Sequence, residues 1–298
     1  MSRLFLNVAR AIAYPAVLGA AVLSGHFLIR AGFDTTLAVA GINAIAALVI
    51  FGLQRVLPFE DAWRKWHEDL KVDLLHTILS SGAVPALCKA ILWGVSFQAA
   101  QIISGWIGST LWPTGWDMIP QLGLALVVGE LGHYWGHRWM HTSKVGWALH
   151  AVHHSSERLY ILSSARSHPL NVFTIYLLST LPLLLLGAKG EVLALFSLVN
   201  GVNGFLQHAN VDMRVRGLHW IFATPDLHRF HHSTDEREGN SNFGGNLIIW
   251  DVIFGTRYLP SERRGPANVG LADSSMIAGY VRHLGVPFLW RRLVSPRS

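Results

Sequence analysis

The chain has little charge and almost no sulfur. Of 298 residues, 14% are Asp, Glu, Lys or Arg, against about 25% in an average soluble protein. One cysteine, Cys88, excludes an internal disulfide and any Cys-x-x-Cys zinc or iron–sulfur motif. No Gly-Lys-Ser/Thr follows Gly123, Gly129 and Gly132, so they form no phosphate loop. The pI near 9.8 and net charge of +6 do not indicate nucleic acid, because the bases are not clustered with exposed aromatics. No internal repeat or low-complexity segment is evident.

Apolar residues, at 51%, are gathered in runs, which indicates an integral membrane protein. Runs of spanning length are expected at about 9–28, 37–57, 72–100, 118–128, 170–187 and 192–206. Pro85 is expected to kink or break the third, and Gly187–Gly190 permits only a tight hairpin between the last two. The first run is long and ends in no clear small-residue cleavage site, so it reads as a retained anchor. The charged stretch 58–71, with Trp63 and Trp66, reads as an interfacial helix, and most of the twelve tryptophans as an interface belt. The fold class is therefore all-α, multi-pass, with about four to six transmembrane helices and a histidine-rich helical cap. Residues 1–125 form membrane-anchoring helices, 126–260 the histidine region with two further membrane helices, and 261–298 a cytoplasmic tail. With six spans, all of the 24 Lys and Arg residues except Arg30, Lys89 and Lys189 fall on the side of the histidines. That side is accordingly the cytoplasmic one.

Histidine, with sixteen copies, is the abundant ligand. His137 and His141 stand four apart; His150, His153 and His154 repeat the i, i+3, i+4 pattern of one helix face, as do His228, His231 and His232. His208 lies between the last two sets, with Asp212 four residues on. Nine imidazoles overfill one metal ion and suit two with open positions. His133, one turn before His137, either lines a substrate entrance or is a further ligand. His168, beside Pro169, reads as a supporting or interfacial residue. Glu130, Asp212, Asp226, Asp235 and Asp251 are candidates to orient imidazole N–H groups. Trp135, Trp139 and Trp147 belong to the interface belt or wall a substrate pocket. Asn200, Asn203 and Gln207 serve close helix packing or a polar shell near the metals. Nothing in the sequence ties His26, His76 or Lys89 to the histidine sets.

His-Arg-Trp-Met-His (137–141), His-Ala-Val-His-His-Ser-Ser (150–156) and Thr-Pro-Asp-Leu-His-Arg-Phe-His-His-Ser (224–233) resemble the fatty acid hydroxylase / sterol desaturase superfamily. The eight residues between the first two boxes, Arg166-x-His168-Pro169, and the segment from Asn246 to Thr256, ending in Trp-Asp-Val-Ile-Phe-Gly-Thr, fit the same pattern. The resemblance covers roughly residues 125–260. It implies two iron ions, which zinc can replace in a purified sample, held by the nine histidines. His137, His141, His150, His153, His154, His228, His231 and His232 would form the catalytic boxes. It further implies dioxygen-dependent hydroxylation or desaturation of a lipid-like substrate in the bilayer. No flavin, haem or iron–sulfur motif is present, so electrons would come from a separate protein. A metal-handling transporter and a zinc-dependent hydrolase are the rival readings. The first would place its site within the spans; the second would leave about six histidines idle.

Overall fold

The computed structural model describes residues 3–65, 69–107, 111–215, 217–272 and 274–296. Twelve α-helices are seen among them. Helices α1 (Arg3–Arg30) and α2 (Thr35–Val56) form an apolar hairpin. The turn between them is set by Asp34, whose carboxylate accepts from the Leu37 N–H at 2.8 Å. Helix α3 (Leu70–Leu75) continues through a π-helical stretch, His76–Ala83, into α4 (Val84–Ile107). The wider π turn sits just before Pro85, where the ring lacks an N–H and would crowd an α-helical carbonyl. The stretch 58–71 is mostly not an α-helix: a 3-10 turn covers Asp61–Arg64, while Trp66 and His67 lie outside the described residues.

Helix α5 (Met118–Thr142) carries the first box, α6 (Lys144–His154) the second and α9 (Pro225–His231) most of the third. Between them come α7 (Pro169–Leu186) and α8 (Gly190–His208), hinged at Gly187 with φ of 90°, a left-handed cap that favours glycine. Short helices α10 (Glu236–Gly239) and α11 (Ile249–Ile253) follow. The chain ends in α12 (Tyr280–Leu293), flanked by strands β1 (Ser274–Met276) and β2 (Val294–Pro296), paired antiparallel.

Among the described residues, four helices are long and apolar enough to cross a membrane: Arg3–Arg30, Thr35–Val56, Leu70–Trp106 and Pro169–Leu186. Helices α5 and α8 are long but less apolar, because each carries functional polar groups. They pack centrally: Leu195, Leu198, Val202 and Leu206 of α8 and Ala125 of α5 are fully buried. Gly132 lets α5 and α7 meet backbone to backbone, since a Cβ there would strike the Leu178 carbonyl. At Gly146, a Cβ would lie 2.6 Å from the Met140 Cα, so only glycine lets α6 fold back so tightly on α5. Ser143 caps that turn, accepting from Gly146 N–H at 2.9 Å. The consequence is functional: His150 comes to face His137.

The carboxy-terminal segment is not a loose appendage. Val286 and Val294 pack with Ala151 and Val152 of α6 in a second small core.

A candidate paired metal centre

The nine box histidines form two abutting cages. His137, His141, His150, His154 and His231 make one; His153, His208, His228 and His232 make the other. Within each, one ring nitrogen per residue lies within 4.8 Å of all the others. The sequence boxes do not map onto the cages one to one. Helix α6 gives its i, i+4 pair, His150 and His154, to the first cage and His153 to the second. The third box does the reverse: His228 and His232 enter the second cage and His231 crosses to the first. On an α-helix, i and i+4 share a face while i+3 sits about 60° round from i. Two such boxes facing each other can therefore exchange one residue and close two cages. The rings of His154 and His232 stack at 4.4 Å across the boundary.

Outward hydrogen bonds fix the rings. Nδ1–H of His137 donates to the Phe243 carbonyl at 2.7 Å, and that of His231 to the Ser241 carbonyl at 2.7 Å. His150 donates to Asn171 Oδ1 at 2.7 Å, and His141 to Asn240 Oδ1 at 3.3 Å. In the second cage, His153 donates to the Arg166 carbonyl at 3.1 Å and His208 to the Gly204 carbonyl at 2.9 Å. With Nδ1 protonated, Nε2 carries a lone pair. Yet the Nε2 atoms of His137 and His150 lie 2.9 Å apart, and those of His153 and His208 3.2 Å apart. Two lone pairs at that distance repel unless a cation lies between them. Ligands about 2.1 Å from one metal ion and 90° apart are separated by about 3.0 Å. Nε2 of His141 and of His231 is buried without a hydrogen-bond partner, as a vacant ligand atom would be. The cages fit metal ions.

Burial favours the ligand-competent form. It pushes the imidazoles of His150, His154, His228, His231 and His232 well below their usual value, with neighbouring histidines adding to the effect. His153 falls to about 4, chiefly through burial. The rings are neutral near pH 7.

The expected acidic partners are elsewhere. Among the described residues, no carboxylate bonds to a caged imidazole; main-chain carbonyls orient four of the nine and side-chain amides two, while Nδ1 of His228 and of His232 is buried without a partner. Glu130 accepts from the N–H groups of Gly245 and Asn246. Asp251 accepts from Phe243 and Gly244, both at 2.8 Å. These two acids hold the loop that presents the Phe243 carbonyl, one bond removed from His137. Neutral acceptors suffice here because a second buried charge per ligand would have to be desolvated. Asp212 gathers Arg10, Arg214 and Arg264 into an ion cluster away from both cages. Asp235 caps α10, and Asp226 accepts from Thr224.

His133 lies outside both cages, packed against Gly245. His168 caps α7, accepting from the Leu170 N–H at 3.1 Å, and its Nε2 reaches the Leu284 carbonyl at 3.2 Å. Asn203 and Gln207 clamp the cap loops to α8 through the carbonyls of Ala223 and Gly245. Asn200 accepts from Asn246.

Several supports were not legible in sequence. Asp73 forms a paired contact with Arg166 (2.5 and 2.9 Å), and Arg158 pairs with Asp69 at 2.8 Å. This network braces the segment after the 3-10 turn Ile161–Ala165, whose Arg166 carbonyl orients His153. His76 joins it by bonding to the Ser167 carbonyl at 3.0 Å and to His283 at 3.0 Å. Apolar neighbours in sequence gave no sign of that role. Asn171, three residues past His168, carried no motif either.

A cavity of about 530 Å³ opens against the first cage at His141 and His154, lined also by Lys144, Trp147, Thr234, Asn240 and Trp290. Trp147 thus walls a cavity, whereas Trp135 and Trp139 stand exposed on the outer face of α5.

A helical membrane protein with two fused histidine cages is the class that this geometry defines. Comparison with known proteins gives the family. Residues 122–256 match the fatty acid hydroxylase family. The chain is 34% identical over 292 residues to an ornithine lipid hydroxylase of Rhizobium tropici, covering 96% of this chain and 86% of that protein. It is 31% identical over 193 residues to the alkylglycerol monooxygenase of Homo sapiens, covering 65% of this chain and 42% of that one. A methylsterol monooxygenase of Aspergillus fumigatus shares 22% over 164 residues, 51% and 52% of the two chains. The chain belongs to the fatty acid hydroxylase family and is an oxygen-dependent oxidoreductase of the membrane. It spans about half or less of the latter two relatives. No solved structure matches it.

Proposed function

We propose that this protein hydroxylates a polar membrane lipid, with dioxygen, at two iron ions held by the nine caged histidines. The observation that carries the reading is the exchange of His153 and His231 between cages, which makes two sites inseparable. The substrate class nearest at hand is an amine-bearing lipid, since the relative matched over nearly the full chain is named an ornithine lipid hydroxylase. Two bound iron ions would supply dioxygen reduction and C–H activation. The chain's own part is to keep nine imidazoles neutral and aimed inward, and to hold bulk water off the second cage, where all four histidines are buried. Reducing equivalents come from a separate electron-transfer protein, because the lone Cys88 cannot support an iron–sulfur cluster. The positive-inside charge distribution supports a cytoplasmic location for the cages.

Neutral imidazoles also bind zinc, so the test needs metal and turnover together. Purified protein should carry iron, or take it up, and convert an aminolipid to a product heavier by one oxygen when dioxygen and a reductant are supplied. Lipid profiles of expressing cells should show the same mass gain. His153→Ala and His231→Ala variants that kept full metal and activity would refute the assignment. Turnover without dioxygen would point to a zinc hydrolase instead.

A further inference from the structure

Two ion pairs on α1 mark depth. Arg30 pairs with Asp117 at 3.9 Å, and Arg10 with Asp212 at 2.8 Å. Twenty residues separate the arginines, about 30 Å of helix, which is the thickness of a hydrocarbon core. Helix α5 begins beside Asp117. Val127, ten residues on, lies about 15 Å below that level, midway to the other. The Trp250 indole N–H donates to the Val127 carbonyl at 3.1 Å, so α11 lies beside the middle of α5. A second mark places the neighbouring loop shallower, about 6 Å inside the level of Arg10. The Phe222 ring meets the Tyr14 ring at 6.4 Å, and Tyr14 is one turn inside Arg10. Phe222 in turn bridges to Leu247.

The outer face here is mostly apolar, with the Arg257 guanidinium stacked over the Trp220 ring at 3.7 Å towards its edge. Ile253 is 58% exposed, Trp220 and Ile221 each 57%, and Ile249, Val252 and Phe254 are exposed beside them. Apolar patches of this kind mark an interaction surface. Several main-chain groups here are paired within the fold, as lipid depth favours. Ile248 N–H bonds to the Ile221 carbonyl at 3.0 Å, Val252 to Ile248 at 3.0 Å, Phe254 to Trp250 at 2.8 Å and Thr256 to Asp251 at 2.8 Å. The Asp251 carboxylate is fully buried.

We infer that residues 247–254, with Trp220 and Ile221, form a re-entrant segment that dips into the bilayer from the histidine side and faces acyl chains. The occupant of this surface is lipid, continuous with the apolar exposed side of α5 at Ile119, Val127, Trp135 and Trp139. Phe254 packs on Trp135 at 5.0 Å, two residues from His137. On the function proposed above, a lipid tail approaches the cages from this edge. The depth assignment itself does not depend on that function.

The test uses the full chain in lipid nanodiscs, with Cys88→Ala as background and a nitroxide at Ile253→Cys. Reference sites are Leu48→Cys on the exposed face of α2 and Glu262→Cys on the polar side. The label at 253 should collide with dissolved oxygen as the one at 48 does, and severalfold less with a water-soluble nickel chelate than the one at 262. Nickel access equal to that at 262 overturns the inference. So does shielding from both relaxers, which would mean a protein partner such as a second copy. Ile221→Cys repeats the measurement from the neighbouring loop should the first variant fold poorly.

Discussion

The two cages are built from the same residue type yet differ in access. In the second, His153, His208, His228 and His232 are all buried. In the first, His141 is only half-buried, and with His154 it borders the cavity of about 530 Å³. Helix ends explain the difference. His141 sits one residue before α5 stops at Thr142, where the chain turns sharply and leaves room. The second cage is closed by α6, α8 and α9 together. Equal chemistry thus acquires unequal exchange with solvent: an ion in the first cage would be open to reactants, and one in the second would be enclosed.

The largest effect should come from crossing the boundary between cages. His231→Ala removes a first-cage ligand from a helix that otherwise serves the second. Activity should fall by more than the roughly 10–100-fold that loss of an orienting partner costs, with metal lost from both cages. Metal analysis showing that only one cage empties would break the idea of a fused pair. Next, Asn171→Leu strips the acceptor from His150 Nδ1. It should lower metal affinity or turnover by about 10–100-fold, and more than Asn240→Leu, whose bond to His141 is longer and at the open edge. Equal losses would erase the contrast, within the first cage, between its inner side and its open edge.

Chelation sharpens it further. A hydrophilic chelator should remove metal in two phases, the first cage emptying before the second; a single phase would argue against unequal access. Acid acts on both. His153 has its ring held near 4 against an ordinary value of about 6.5. The unfolded chain therefore binds protons that the folded chain refuses. Stability of the metal-free protein should fall as pH drops from about 6.5 towards about 4, and stay flat above. Urea midpoints measured across that range in detergent would reveal the slope, and its absence would mean the rings already carry protons. The smallest effect belongs to Lys144→Ala at the cavity mouth, exposed and outside both cages. Stability should change by less than about 0.5 kcal/mol, and a large loss of turnover there would show that the open cage depends on a fixed charge at its door.

How far the sequence could be read depended on the range of the interaction. Apolar runs and i, i+3, i+4 spacing are local, and they located the four most apolar helices and all nine caged histidines. Helices α5 and α8 were harder to rank as spans, because burial by neighbours replaces lipid contact and tolerates Gln121, Glu130 and Asn203. Glu130 and Asp251 were recognisable as acids near the boxes. Their partners proved to be loop N–H groups, which no side-chain motif encodes. Asp73 and His76, inside an apolar run, were linked to the site only through Arg166 and Ser167, some ninety residues away.

The sequence by itself determined which atoms can bind metal, since imidazole chemistry and helical pitch are properties of the residues and their order. Only the tertiary structure decided which histidine belongs to which cage. That choice depends on how α6 and α9 face each other, and the facing is set by distant packing: Gly146 against Met140, Gly132 against Leu178, and the amides of α8 against the loops of the cap. A box is local. A cage is closed by parts of the chain that meet only when folded.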